Sequence, residues 1–159
     1  MRELHVLCPF IRIEGVVEHG FGRGSKSLGY PTANLNSVSS SSVFSFLQSP
    51  TCKDGIYIGW VKLPTTKEPF EAAISVGLNP TFSDSKTRLI EAYLMNYTGA
   101  DFYGQHVRIL ICGYIRTSIK FDSVDSLRSE IARDVAFSLE CFQKEVRLLD
   151  AMHDVFLLE

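Results

Sequence analysis

The chain has 159 residues, of which 45% are hydrophobic and 21% charged, a composition typical of one globular domain with a substantial core. Its formal net charge of -2 excludes a global attraction to nucleic acid or to an anionic membrane, so any anion has to bind locally. No apolar run approaches the ~20 residues that span a bilayer, and we expect neither a membrane nor a nucleic-acid partner.

Strand patterns dominate the first three quarters of the chain. Turn residues bound short runs of β-branched and aromatic residues, which predict strands over 11–19, 55–63, 71–76, 88–97 and 105–114. Several short strands with regular turn signals favour an antiparallel barrel or sandwich. Residues 36–54 combine a serine-rich run with a few apolar side chains. We expect them to form a mobile loop with a small apolar anchor.

From Asp122 onward the apolar period changes to three and four residues. The residues that follow this period are Leu127, Ile131, Val135, Leu139, Phe142, Val146 and Leu149. They predict one helix, from about residue 123 to 150, whose apolar stripe packs against the barrel. Asp122 or Ser123 can cap its first turn. We therefore expect a single domain over 1–159, with the barrel at about 4–120.

The glycine-rich segment that begins at Gly20 is the strongest candidate for anion binding. Glycines let backbone amides approach an anion, and nearby cations neutralise it; the residues concerned are Gly20, Gly22, Arg23, Gly24 and Lys26. The segment is neither a P-loop nor a protein-kinase glycine loop, because Ser25 stands where each motif requires glycine. The alternative interpretation is a glycine-rich hairpin turn.

Thr32 and Asn34 follow that segment directly. Their spacing places a hydroxyl and an amide oxygen on one face of an extended strand. Oxygens of this kind suit a hard divalent cation that is completed by phosphate and water. The alternative is that both side chains only satisfy a local turn.

Glu91 is the candidate for proton transfer. Strand alternation puts it on one face with Leu89 and Tyr93. A carboxylate among apolar neighbours is costly to bury unless it is paired or used, and it could accept a proton from a substrate hydroxyl. The alternative is an exposed strand face with a salt bridge to Arg88 or Lys86, and spacing alone favours that alternative.

Cysteine and histidine positions argue against a zinc site. The four cysteines are far apart in the sequence, at Cys8, Cys52, Cys112 and Cys141. Close ligand pairs are usual in structural zinc sites, and none occurs here. Free thiols without a secretory signal favour a reducing compartment. We expect a cytoplasmic location, with an organelle left open.

Five segments then match one family in order: GFGRGSKSLGYPTANL (20–35), DGIYIGWV (54–61), ISVGLNPTF (74–82), RLIEAYLMNYTGADFYGQ (88–105) and GYIRTSIKFDSVDSLRSEIARD (113–134). Together they resemble the riboflavin kinase family. The resemblance implies a mainly β fold, a six-stranded antiparallel Greek-key barrel with a long C-terminal helix. It also implies transfer of the γ-phosphoryl group of ATP to the 5′-hydroxyl of riboflavin, giving FMN and ADP with Mg²⁺, or with Zn²⁺ or Mn²⁺.

The resemblance further implies roles for single residues. Glu91 corresponds to the catalytic base, and Thr32 and Asn34 correspond to the metal ligands. The ATP-binding residues would be Gly20, Gly22, Arg23, Gly24, Lys26, Thr32 and Asn34, and the flavin-binding residues Arg116, Phe121, Asp122 and Leu127. Tyr93 stands where many relatives have histidine.

Other functions remain to be separated from this one. A non-catalytic flavin- or nucleotide-binding barrel is the main rival, although simple flavin binding needs neither the Thr32/Asn34 oxygens nor Glu91. A nucleic-acid-binding barrel is a more distant alternative, because the chain lacks a basic groove. Too few residues precede the first matching segment for an FAD synthetase domain, so we expect a monofunctional enzyme, and a monomer.

Overall fold

The computed structural model describes residues 1–18, 30–36, 38–78 and 88–158. Its six strands are β1 (His5–Val16), β2 (Thr32–Leu35), β3 (Gly55–Lys62), β4 (Phe70–Leu78), β5 (Arg88–Leu94) and β6 (His106–Thr117). Its helices are α1 (Ser41–Gln48), α2 (Val124–Lys144), α3 (Val146–Asp150) and α4 (Val155–Leu158), with a 3₁₀ turn at Ala151–His153. None of these described helices combines the length and apolarity needed to cross a bilayer.

The strands form one sheet in the order β1-β6-β3-β4-β5-β2, with every neighbouring pair antiparallel. An isolated antiparallel bridge between Glu18 and Asn34 joins the segment after β1 to β2. The two edges of the sheet therefore meet, although no continuous ladder closes it within the described residues. The predicted six-stranded antiparallel fold is confirmed, and it is barrel-like rather than a fully closed barrel.

Side-chain alternation in the strands separates an apolar interior from a more polar exterior. In β4 and β5 the inward positions are Ala72, Ile74, Val76, Ile90, Ala92 and Leu94, all of which are buried in one core. Successive strand residues point to opposite faces, so Ser75, Glu91 and Tyr93 point outward. The exterior of these two strands is consequently where a helix or a ligand can dock.

Residues 41–48 form α1, so the prediction of a loop over residues 36–54 was wrong for this part, whereas the small apolar anchor predicted within it is confirmed. The Ser40 hydroxyl accepts a hydrogen bond from the Val43 amide at 3.2 Å and so caps the helix. Val43, Phe46 and Leu47 recur at helical spacing and are buried in the barrel core. Serine is a weak residue inside helices but a strong one at the cap, which explains why a serine-rich run can start a helix.

Helix α2 begins where the sequence predicts, but it ends earlier. Ser123 is its cap and accepts a hydrogen bond from the Ser126 amide at 3.1 Å. The helix ends at Lys144 because Glu145 adopts an extended backbone, and α3 follows instead of a continuation to residue 150. The predicted apolar stripe therefore fails at its end, where Val146 and Leu149 are exposed.

The outer face of the sheet is covered in two parts by the C-terminal helices. The first half of α2 packs through Leu127 and Ile131 on Ala73 and Tyr93. Further along, Phe142 lies edge-on to Trp60, with ring centroids 5.0 Å apart. The small side chain of Ala73 allows α2 to come close to the strands that carry the candidate site.

Candidate active site

Thr32, Asn34 and Glu91, which the sequence predicts as site residues, lie together on the outward face of β2 and β5, and Ser75 of β4 joins them. The β2–β5 register pairs Thr32 with Tyr93 and Asn34 with Glu91. The β4–β5 register pairs Ser75 with the other side of Glu91. Side chains of directly paired residues lie on the same face of a sheet, so this group forms a single polar patch.

Within the patch, Glu91 is half-buried and interacts with Tyr93, two residues further along the same strand. The Tyr93 hydroxyl donates a hydrogen bond to the Glu91 carboxylate. Burial raises the pKa of Tyr93 well above its usual value, and the charge of Glu91 raises this pKa further. The phenol therefore stays protonated and keeps donating to Glu91.

Thr32 and Asn34 provide the donor set that a divalent cation would need. Both side chains are half-buried on the exposed side of a short edge strand, and Asn34 lies directly opposite Glu91. Hydroxyl, amide and carboxylate oxygens are hard ligands, which fit Mg²⁺ when phosphates and water complete its shell. This chemistry fits the metal expected from the sequence.

The glycine-rich segment itself falls outside the described residues. The predicted nucleotide ligands Gly20, Gly22, Arg23, Gly24 and Lys26 all lie in this segment. Both flanks of the glycine-rich segment are described. On one side Glu18 bridges to Asn34, and on the other the Pro31 carbonyl accepts a hydrogen bond from the Leu94 amide at 3.0 Å.

A buried ion-pair network underlies the end of β6. The Arg116 guanidinium donates to both carboxylate oxygens of Asp134 on α2, at 2.8 and 2.7 Å, and to the Thr117 carbonyl at 2.9 Å. Its side chain is only 6% exposed and that of Asp134 only 4%. Arg2 adds a second cation, donating to Asp134 at 2.9 Å. Arg116, predicted as a flavin residue, is thus held firmly at the start of the segment that leads to α2.

A cavity of about 480 Å³ lies between that segment and α2. Its lining residues are Ile119, Phe121, Asp125, Ser126, Ser129, Glu130 and Arg133. Phe121 also packs against the cluster of Tyr93 and Leu127, so the cavity adjoins the side of the polar patch. Of the predicted flavin residues, Phe121 lines this cavity, Leu127 is buried beneath α2, and Asp122 is exposed next to the cap.

Sequence reasoning missed three residues of this region. Ser75 is the one polar side chain in the run from Ala72 to Val76, which was the available signal. Arg2 and Asp134 gave no such signal, because their contact joins positions 132 residues apart.

Comparisons with known proteins agree with the geometry. The family model for riboflavin kinase (Flavokinase) matches residues 7–142. The human riboflavin kinase is 35% identical over 135 residues, a match that covers 85% of this chain and 79% of that protein. A bifunctional riboflavin kinase/FMN phosphatase of Arabidopsis thaliana is 40% identical over 122 residues, covering 77% of this chain and 30% of that protein.

A solved structure supports the same assignment. The crystal structure of riboflavin kinase from Trypanosoma brucei superposes with a TM-score of 0.65 at 28% identity, covering 98% of this chain and 87% of the other. The resemblance drawn from the sequence motifs is therefore confirmed. With a family model that spans most of its length, a polar patch on β2 and β5 and an adjoining cavity, this chain belongs to the riboflavin kinase family.

Proposed function

We propose that the chain transfers the γ-phosphoryl group of ATP to the 5′-hydroxyl of riboflavin, releasing FMN and ADP. The observation that carries the proposal is the β2–β5 register, which sets Glu91 opposite Asn34 with Thr32 on the same face. A family that phosphorylates riboflavin needs an acceptor-side base beside a phosphate-side ligand. This patch supplies both kinds of group within two paired strands.

Glu91 is proposed to act as the base. As the new bond forms between the flavin oxygen and the γ-phosphorus, the hydroxyl proton passes to the Glu91 carboxylate, and the bond from phosphorus to the ADP oxygen breaks. The hydrogen bond from Tyr93 orients the carboxylate for this step. Holding the two reactants in line is the larger part of the catalysis in such a transfer.

Thr32 and Asn34 are proposed to hold a divalent cation, and Mg²⁺ is our choice over Zn²⁺ or Mn²⁺. When bound, such an ion neutralises charge on the phosphates. The glycine-rich segment is proposed to bind ATP through Gly20, Gly22, Arg23, Gly24 and Lys26. Support for this comes from the two flanking residues, since Glu18 pairs with Asn34 and Pro31 bonds to Leu94, both next to the polar patch.

The flavin ring is proposed to occupy the cavity between residues 119–121 and α2. Phe121 offers an aromatic surface there, with Asp122 and Leu127 at the neighbouring turn of the helix. Arg116 would contribute by fixing the start of this segment through Asp134. The ring of riboflavin is flat, with an apolar dimethylbenzene end and a polar pyrimidinedione end, which suits a cavity that combines one aromatic wall with polar side chains.

The decisive experiment measures ADP release from ATP by the purified chain, with and without riboflavin, in the presence of Mg²⁺. We expect riboflavin-dependent ADP release and equimolar FMN. Flavin binding without ADP release would favour a non-catalytic flavin-binding barrel instead.

Location and assembly complete the proposal. All four cysteines are free, which supports a reducing compartment and, we propose, the cytoplasm. We also propose a monomer, which light scattering of the purified chain would test.

A further inference from the structure

The first residues of the chain reach the helix that forms one wall of the cavity. Residues 2–4, which we name the N-terminal brace, lie along the end of β6. The Glu3 amide donates to the Ile115 carbonyl at 3.0 Å, and Leu4 occupies the space left by the missing side chain of Gly113. This seating directs Arg2 toward α2.

Arg2 then binds α2 at three points on successive turns. Its Nε donates to the Asp134 carboxylate at 2.9 Å. Its Nη2 donates to the Glu130 carboxylate and, at 3.3 Å, to the Glu130 carbonyl. The Arg2 side chain is only 18% exposed, so these bonds are well shielded from water. Removing one partner of such a shielded pair is destabilising, because the remaining charge is left without a counter-charge.

Glu130 connects the brace to the cavity. It is a lining residue, and its carboxylate also accepts a hydrogen bond from Arg133, the next lining residue, at 2.5 Å. The hydrogen bond from Arg2 is the main reason that the pKa of Glu130 lies below its usual value. Arg2 therefore stands behind the cavity wall and fixes a residue that faces into it.

We propose that Arg2 is a positioning residue for the flavin, because it sets the place of the second turn of α2 against the end of β6. The inference rests on the proposed function, which assigns the cavity to riboflavin. Arg2 contacts α2 at Glu130 and Asp134, whereas α2 packs on Tyr93 through Leu127 and Ile131. Loss of Arg2 should therefore affect flavin binding more than it affects the β2–β5 patch.

The test compares Arg2→Gln with the unchanged chain. We expect KM for riboflavin, and Kd from flavin fluorescence, to rise about fivefold, since α2 loses one of its two buried arginine contacts. KM for ATP and kcat should stay within roughly twofold, because the phosphate-side residues keep their register. Arg2→Lys, which retains a charge but fewer donors, should give an intermediate flavin affinity.

The matched control is Arg12→Gln. Arg12 also binds a carboxylate with two bonds, to Asp154 at 2.9 and 3.1 Å, but its partner lies beyond α3. We expect flavin affinity to be unchanged in that variant. A double-variant cycle with Glu130→Gln adds a further check, because the two effects should not be additive if Arg2 acts through Glu130.

Equal flavin affinity in Arg2→Gln and the unchanged chain would overturn the inference, even if the melting temperature fell. Equal losses toward ATP and riboflavin would also overturn it, because they indicate a purely structural tether. If Arg2→Gln does not fold, Arg2→Lys decides by the same criterion. Absence of riboflavin phosphorylation by the unchanged chain would instead refute the proposed function.

Discussion

Glu91 and Tyr93 occupy successive outward positions of β5, and one hydrogen bond joins their side chains. A tyrosine that stays protonated is a permanent donor, so it orients the carboxylate without competing for the proton. A histidine at this position would donate only from the nitrogen that carries a proton. Tyr93 is therefore able to serve as an orienting residue for the base.

Replacement of the base gives the sharpest test at this scale. In Glu91→Gln we expect kcat to fall by roughly 10² to 10⁴, because the amide cannot take the hydroxyl proton. Flavin affinity should be retained, since the shape of the side chain is kept. ADP release and flavin fluorescence measure the two quantities separately.

Glu71→Gln is the control for that variant. Glu71 is another half-buried carboxylate on β4, where burial raises its pKa, but its cross-strand partner is Trp60. We expect its turnover to be unchanged. Turnover near that of the unchanged chain in Glu91→Gln would rule out Glu91 as the base.

Substitution of Thr32 tests the proposed cation site. Thr32→Ala removes one proposed oxygen ligand, so the Mg²⁺ concentration for half-maximal activity should rise about threefold or more. A Mg²⁺ titration at saturating ATP and riboflavin measures this. Thr98→Ala, at an exposed loop position, is the control. Superimposable titrations of Thr32→Ala and the control would count against the ligand role.

How much of the site can be predicted from the sequence depends on how far apart along the chain the residues of each contact lie. Thr32, Asn34 and Glu91 follow from alternation within a strand, which is local. Their mutual placement needs the register between two strands far apart in the sequence. The Arg2–Asp134 contact depends on the complete fold, so no local pattern encodes it.

Helix α1 shows the same limit for whole elements. Its composition suggests a loop, because serine side chains compete for backbone hydrogen bonds. In the structure those hydroxyls are used by β1 instead: Ser42 accepts from the Glu14 amide at 3.0 Å, and Ser40 donates to the Glu14 carbonyl. Tertiary partners for the serines thus convert a predicted loop into a capped helix.

The cap provides the test for this element. Ser40→Ala should lower the free energy of unfolding by about 1 to 2 kcal/mol, because it leaves the Val43 amide without its capping acceptor. Ser45→Ala, at an exposed position inside α1, should change stability by less than about 0.5 kcal/mol. Urea denaturation measures both. An equal effect of the two variants would show that the cap is not what holds α1.

At the scale of the whole molecule, the break after α2 lets the C-terminal residues turn back onto the sheet. The chain therefore buries Leu148 where the predicted continuous helix would have buried Leu149. The Leu148 carbonyl accepts a hydrogen bond from the indole of Trp60 at 2.8 Å. Arg12 and Arg108 both lie over the Phe156 ring, at 5.9 and 5.7 Å.

Trp60→Phe tests that contact. We expect a loss of about 2 to 4 kcal/mol in the free energy of unfolding, because the variant leaves a void and a buried carbonyl without its donor. Unfolding should be measured by far-UV circular dichroism, because Trp60 is the sole tryptophan and the variant therefore has no tryptophan fluorescence. The control is Tyr114→Phe, which removes a more exposed bond to the Asp54 carbonyl and should lose less than about 1 kcal/mol. Equal losses would contradict the importance of the indole bond.

The bridge between Glu18 and Asn34 links nucleotide binding to the stability of the sheet. β2 is paired along its length with β5. Among the described residues it meets the opposite edge of the sheet through Glu18, whose carboxylate also accepts a hydrogen bond from the side-chain amide of Asn36. The proposed cation ligands, Thr32 and Asn34, lie on that same four-residue strand. ATP bound through that cation would connect the two edges of the sheet as well as react. We therefore expect saturation with nucleotide to slow amide hydrogen exchange in β2 more than in any other strand.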